Sequence, residues 1–192
     1  MEYTEESLIK ERILDTTIDI FSQDGLKFTM DSLAKKLSMS KKTIYKFFPD
    51  KQSLLHEMVD YSFNQIKMAK RNVVCSSGDD IVEVLTKVLQ AMPERYENVN
   101  LGQLYVLKDK YPQIYHHVEQ RLESDGENTI LLMNKGMEEG KIRDVSIPIF
   151  KTMMLATLEQ FFKEDVLVLN QITYQDALRE VVEILINGII VK

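Results

Sequence analysis

Lys41 and Lys42 directly follow Ser40, a residue suited to capping the start of a helix, so two cationic side chains fall in a helical first turn. A helix N-terminus already carries partial positive charge, and each exposed lysine there costs about 0.3–1 kcal/mol. A phosphate-bearing partner reverses the sign, because anions are drawn both to the free N–H groups of the helix start and to the lysines. Lys27, Lys35, Lys36, Lys46 and Lys51 lie in the same stretch, 27–51, against Asp31 and Asp50 alone, which gives the segment a charge of +5. The chemistry these residues are equipped for is binding to double-stranded DNA.

The elements that must position them can be read on either side. Thr29 is a good N-cap for a short helix with Asp31 in its first turn, and Leu33, Ala34 and Leu37 form an apolar stripe at helical spacing. Ser38, Met39 and Ser40 supply a turn. The next helix directs Ile44 and Phe47 inward and leaves Lys41, Lys42, Thr43, Tyr45 and Lys46 outward. Pro49 stops it, and Asp50 is placed to cap its successor. Two short helices with a tight turn make a helix-turn-helix, which lays its second helix in the major groove. Upstream, Ile9, Ile13, Thr17, Ile20 and Phe21 step by helical intervals toward Gly25, defining a first helix that packs on the motif.

From about Ile13 to Leu55 the chain resembles the TetR family of bacterial transcriptional regulators. The resemblance is carried by an apolar helix ILDTTIDIFSQDG, then FTMDSLAKKLSMSKKTIYKFF, then PDKQSLL, with YKFFPDK its most specific part. Ser38 stands where the family usually has glycine, and Lys42 where a small residue is common. The resemblance implies that Thr29, Ser40, Tyr45, Lys46 and Lys51 hold phosphates, which fixes register without reading sequence. Lys41, Lys42 and Thr43 occupy the N-terminal end of the recognition helix, where base edges are read. Lysine suits guanine O6 and N7, and threonine can meet a thymine methyl.

Composition is consistent with such a protein. A chain of 192 residues can bury a real core, and 44% apolar with 28% charged residues is ordinary for a soluble protein. Seven glycines, four prolines and no alternating β-branched runs argue for an all-α fold. The net charge of −6 is unevenly spread: residues 1–26 carry −5 and the basic segment +5, so an acidic body presents one basic face. No apolar run approaches the roughly 18 residues of a membrane span, and the acidic start MEYTEESLIKE is unlike a signal peptide, so a cytoplasmic location is expected.

Catalysis has little to draw on. Adjacent His116 and His117 point about 100° apart on a helix and do not chelate as a pair. Neither a Gly-rich phosphate loop nor a CxxC pair appears, and Cys75 is the sole cysteine, leaving no intrachain disulfide. Neither a cofactor nor a metal is expected, and the chain does not read as an enzyme.

The expected organisation is an N-terminal three-helix DNA-binding domain over 1–50 and a C-terminal helical ligand-binding and dimerisation domain over 51–192, with 51–74 as the connecting helix. Further helices are expected over 79–92, 99–110, 112–124 and 126–139, punctuated by Ser76-Ser77-Gly78, Pro93, Pro112 and Gly140. Residues 149–162, including Phe162, are apolar on more sides than one buried face requires, and the last helix, capped by Thr173 with Asp176, repeats apolar residues to Ile189. A homodimer interface is expected to draw on Met153, Thr157, Phe161, Leu178, Val181, Val182, Leu185 and Ile189, as half of the intersubunit four-helix bundle that the resemblance implies. The resemblance also implies a small-molecule effector site. Its candidate lining is Tyr96, Gln103, Tyr105, Tyr111, Tyr115, His116, Phe150, Met154, Glu159 and Phe161, with Glu159 a carboxylate in an otherwise apolar helix. The function expected is a repressor released from a palindromic operator by its effector. A ligand-independent regulator, or a helical interaction protein without specific DNA binding, are the alternatives.

Overall fold

The computed structural model describes residues 4–76, 78, 80–96, 102–124, 126–161 and 166–191 in full and 162–163 by backbone alone. Ser77 of the expected helix break, residues 79 and 99–101 at two expected helix starts, and the Phe162 side chain lie outside the described residues. Regular structure in these residues is helical. The β pairing among them is an isolated antiparallel bridge between Ile142 and Ile190. No helix of the described residues is long and apolar enough to cross a membrane.

The chain packs as two units, Met1–Phe63 with Val99–Val118, and Asn64–Asn98 with Glu119–Lys192. The chain passes between them after residues 63, 98 and 118. The first unit holds α1 (Glu5–Asp24), α2 (Met30–Leu37), α3 (Lys41–Phe47) and the first half of α4 (Lys51–Ser76), together with α6 (Gly102–Tyr105), α7 (Leu107–Lys110) and the start of α8 (Pro112–Ser124). Its core is Ile13, Leu33, Ile44, Phe48, Leu54, Leu55 and Leu107, all buried. Thr17, also buried, satisfies its hydroxyl by donating to the Ile13 carbonyl at 2.7 Å. Arg12 reaches from α1 to donate to the Leu37 carbonyl, one of the unpaired acceptors at the end of α2.

Gly25 closes α1 at φ +58°, and its N–H donates to the Phe21 carbonyl. A Cβ at this position would meet the Gln103 side chain at 2.2 Å, so both conformation and space require glycine.

In the second unit α5 (Ile81–Gln90) is the central element, packed against α9 (Glu127–Glu138) and α12 (Tyr174–Asn187), while α10 (Ile147–Lys163) packs on α12. Asp80 caps α5 by accepting from the N–H groups of Val82 and Glu83. Leu85, Val88, Met133 and Val182 are fully buried. Gly136 lets Ile142 approach so closely that a Cβ would fall 2.5 Å from its Cδ1. A short helix not foreseen from the sequence, α11 (Val166–Leu169), precedes α12.

Candidate nucleic-acid interface

Local hydrogen bonding builds the helix-turn-helix. The Thr29 side chain accepts from the Ser32 N–H at 3.1 Å while the Ser32 hydroxyl accepts from the Thr29 N–H at 2.9 Å, a reciprocal capping box that starts α2. Ser38 ends α2 in the left-handed region, at φ 53° and ψ 38°, with its N–H directed to the Ala34 and Lys35 carbonyls. Serine tolerates the turn at a cost that glycine would not incur. The Ser40 hydroxyl caps α3 by accepting from the Thr43 N–H at 3.1 Å, and Asp50 accepts from the Ser53 N–H at 2.7 Å ahead of α4. That last bond holds the Asp50 carboxyl below its ordinary range.

Ile44 is the buried anchor of α3, whereas Phe47 is only half-buried. Its expected place in the core is taken by Phe48. At φ −132° and ψ 103° that residue has left the helix, and it is fully buried. Helical spacing therefore stops predicting direction one residue before the aromatic that matters.

On the outer face of α3, Lys41, Lys42, Tyr45 and Lys46 are exposed and Thr43 is half-exposed. Their charges differ in how far they are compensated. Lys41 forms an ion pair with Asp31, in the first turn of α2, and Lys46 pairs with Glu6 of α1. The hydrogen bond and charge of Lys46 hold the Glu6 carboxyl below its usual range. Lys42 makes no ion pair or hydrogen bond among the described residues, so its charge at the helix start stays uncompensated. Thr43 and Ser40 share a hydroxyl hydrogen bond of 2.8 Å, which leaves the Thr43 methyl as its contacting group.

Lys51 departs from the expected phosphate role. Its half-buried ammonium donates to the Leu26 carbonyl at 2.7 Å and to that of Phe28, and stands 4.1 Å from the centre of the Phe28 ring. Burial, followed by repulsion from Lys110, pushes its pKa down. A lysine committed to two carbonyls ties α4 to the segment between α1 and α2.

Of the residues expected in an effector pocket, Gln103, Tyr105, Tyr111, Tyr115 and His116 belong to the first unit, and Tyr96, Phe150, Met154, Glu159 and Phe161 to the second. Gln103 packs on Gly25. Tyr105 meets the buried Tyr115 edge-on at 5.9 Å, with the Lys108 ammonium near both rings, while Tyr111 is half-buried and His116 exposed. In the second unit Tyr96, Phe150 and Met154 are buried, Glu159 is half-buried, and Phe161 meets Tyr174 edge-on at 6.2 Å. An open cleft of about 400 Å³ beside Asp80, Glu139, Lys141 and Ile190 is lined by none of the ten.

The expected dimer residues also divide. Leu178, Val182 and Ile189 are 5%, 0% and 5% exposed, covered by their own subunit, and so cannot face a partner. The most apolar stripe of α12 is its inner face. Val181, Leu185, Thr157 and Phe161 are half-exposed, and Met153 is exposed, alongside two residues not among the eight expected at the interface, Ile149 and Ile184 at 61% and 65%.

One convergence was invisible in the sequence. His56 and Asp60, a turn apart on α4, meet His117 of α8, 57 residues beyond Asp60.

Residues 13–58 match the model of the family described as "Bacterial regulatory proteins, tetR family". Over 179 residues, 93% of this chain and 94% of the relative, the sequence is 25% identical to the uncharacterized HTH-type transcriptional regulator YvaF of Bacillus subtilis. It is 24% identical over 159 residues to IcaR of Staphylococcus aureus, the negative transcriptional regulator of the biofilm operon icaADBC, covering 80% of this chain and 82% of that one. The fold is similar to that of the TetR family transcriptional regulator PfmR from Thermus thermophilus, with a TM-score of 0.67 at 18% identity over 92% of this chain and 97% of that one. With its helix-turn-helix and its basic recognition helix, the chain belongs to the TetR family of DNA-binding transcriptional regulators.

Proposed function

We propose that the protein is a homodimeric repressor that holds a palindromic operator and releases it on binding a small molecule. The observation that carries the reading is the outer face of α3, where Lys42 stands uncompensated between Lys41 and Thr43 at a capped helix start. Those three residues read bases. Thr29, Ser40, Tyr45 and Lys46 hold phosphates, with Lys46 exchanging Glu6 for DNA. Repression is supported by the similarity to IcaR, whose name describes a negative regulator.

In this reading residues 1–50 form the DNA-reading part, 51–74 the connecting helix, and the rest of 51–192 the effector and dimerisation part. Two copies meet through the exposed apolar residues of α10 and α12, Ile149, Met153 and Ile184, flanked by Thr157, Phe161, Val181 and Leu185. A dimer is needed because two recognition helices must reach successive major-groove faces of one site. Phe150 and Met154 of the second unit supply apolar surface for an effector, which acts by preferring a state of the dimer that fits DNA less well.

Selection from a random DNA library by the full-length protein tests this reading. A recovered inverted repeat, with transcription from a promoter carrying it lowered in cells, is the expected result. Salt-labile binding without sequence preference would overturn it.

A further inference from the structure

We propose that His56, Asp60 and His117 form a binding site for a divalent transition-metal ion, separate from the aromatic residues assigned to the effector. The His56 Nδ1 lies 3.5 Å from one carboxylate oxygen of Asp60, and the His117 Nε2 lies 2.8 Å from the other. The two imidazoles are stacked at 4.3 Å with planes 12° apart, so both present a nitrogen toward the same carboxylate. The three donor atoms fall within 4.8 Å of one another.

Two imidazoles and one carboxylate are the ligand chemistry of zinc, nickel and cobalt rather than of magnesium or calcium, which select oxygen. An ion bound at about 2.1 Å places tetrahedral ligands about 3.4 Å apart. The His56–Asp60 separation already matches. The donor atoms lie within 4.8 Å, so rotation of the exposed His56 ring has only a short gap to close, and the ion replaces the hydrogen bond between His117 and Asp60. His56 is exposed and the other two are half-buried, which leaves the fourth position to water.

The placement gives the site a consequence. His56 and Asp60 are on the stretch of α4 whose opposite face, Leu54, Leu55, Met58 and Val59, is buried in the core of the first unit, and α4 follows the recognition helix after three residues. His117 belongs to α8. An ion held by all three fastens α4 to α8 inside the unit that carries the helix-turn-helix.

Metal-free full-length protein in a Cys75→Ser background, which removes the exposed thiol as a competing ligand, is titrated with Co2+ and then displaced with Zn2+. The expected result is one ion per chain, visible d–d absorption, and a rise in melting temperature with Zn2+. His56→Ala and His117→Gln each weaken binding at least about tenfold, since even losing a hydrogen-bond partner of a ligand costs that much. His116→Ala does not. Circular dichroism checks that each variant folds, and His56→Ala keeps the test open should the half-buried His117 variant fail. Absent stoichiometric binding, or binding equally strong in His56→Ala and His117→Gln, would overturn the site and leave the cluster as a hydrogen bond between helices. Neither outcome depends on operator binding, so the site and the repressor reading fail separately.

Discussion

Lys46 on the recognition helix is ion-paired with Glu6 on the first helix, forty residues away in sequence, and both side chains are about two-thirds exposed. The cation proposed to hold a phosphate is thus occupied by an acidic group of the same chain. A phosphate must displace that carboxylate, and Glu6, which stays near the DNA after displacement, repels it. Glu6→Gln is therefore expected to tighten binding to specific and non-specific DNA alike, by about two- to fivefold, the range of an exposed ion pair. Gel-shift titrations at several salt concentrations measure it. Unchanged or weaker binding would place Lys46 outside the interface.

The residues proposed for the reading face are expected to separate by what they contact. Lys42→Ala and Thr43→Ala are expected to lose about 1–3 kcal/mol on the preferred operator and to alter which bases matter. Lys51→Ala is expected to act differently, because its ammonium is bonded to the Leu26 and Phe28 carbonyls. Losing those bonds should cost about 1–2 kcal/mol of folding stability with little change in base preference. Urea denaturation together with binding to a library of single-base operator variants distinguishes them. Uniform losses on every sequence from all three would mean that the base-reading face lies elsewhere.

What the sequence revealed and what it hid divide by the range of the interactions. The caps at Thr29, Ser40, Asp50 and Thr173 are local, each made to a backbone N–H three residues on, and their residue types announce them. The apolar stripe Leu33, Ala34 and Leu37 is buried for the same reason. Phe48 was hidden because its burial depends on where α3 ends, which no periodicity reports. Lys51 reads as a cation, but the carbonyls that hold it lie more than twenty residues away. His117 meets Asp60 only through helix packing. The inner stripe of α12 shows most plainly why pattern alone falls short: Val182 and Leu178 declare that they are buried, without declaring which neighbour buries them.

Tyr174, buried in the first turn of α12, gives the second unit a pH dependence. Burial pushes its phenol well above the ordinary value of 10.0. A group whose folded pKa is raised contributes stability that is intact below the unfolded pKa and is lost as pH rises through the folded one, because the unfolded chain ionises first. Stability should therefore fall above about pH 10, at up to about 1.4 kcal/mol per pH unit from this group. Urea midpoints at pH 9, 10 and 11 should fall less steeply in Tyr174→Phe than in the wild type. Parallel curves would show that Tyr174 ionises as freely folded as unfolded.

The outer and inner faces of the last helices make opposite predictions for a charged substitution. Ile184 and Met153 are exposed in the single chain, and Val182 is fully buried. Glutamate in place of Ile184 or Met153 leaves the subunit fold intact but puts a charge into the proposed contact between copies, where desolvating it costs several kcal/mol. The expected outcome is a folded monomer with helical circular dichroism unchanged and operator affinity greatly reduced, since half-sites are no longer bound together. Val182→Glu should instead unfold the second unit or yield aggregates. Sedimentation velocity on the Met153→Glu, Ile184→Glu double variant decides between interfaces: a stable dimer would remove this face from the assembly and assign pairing to another surface.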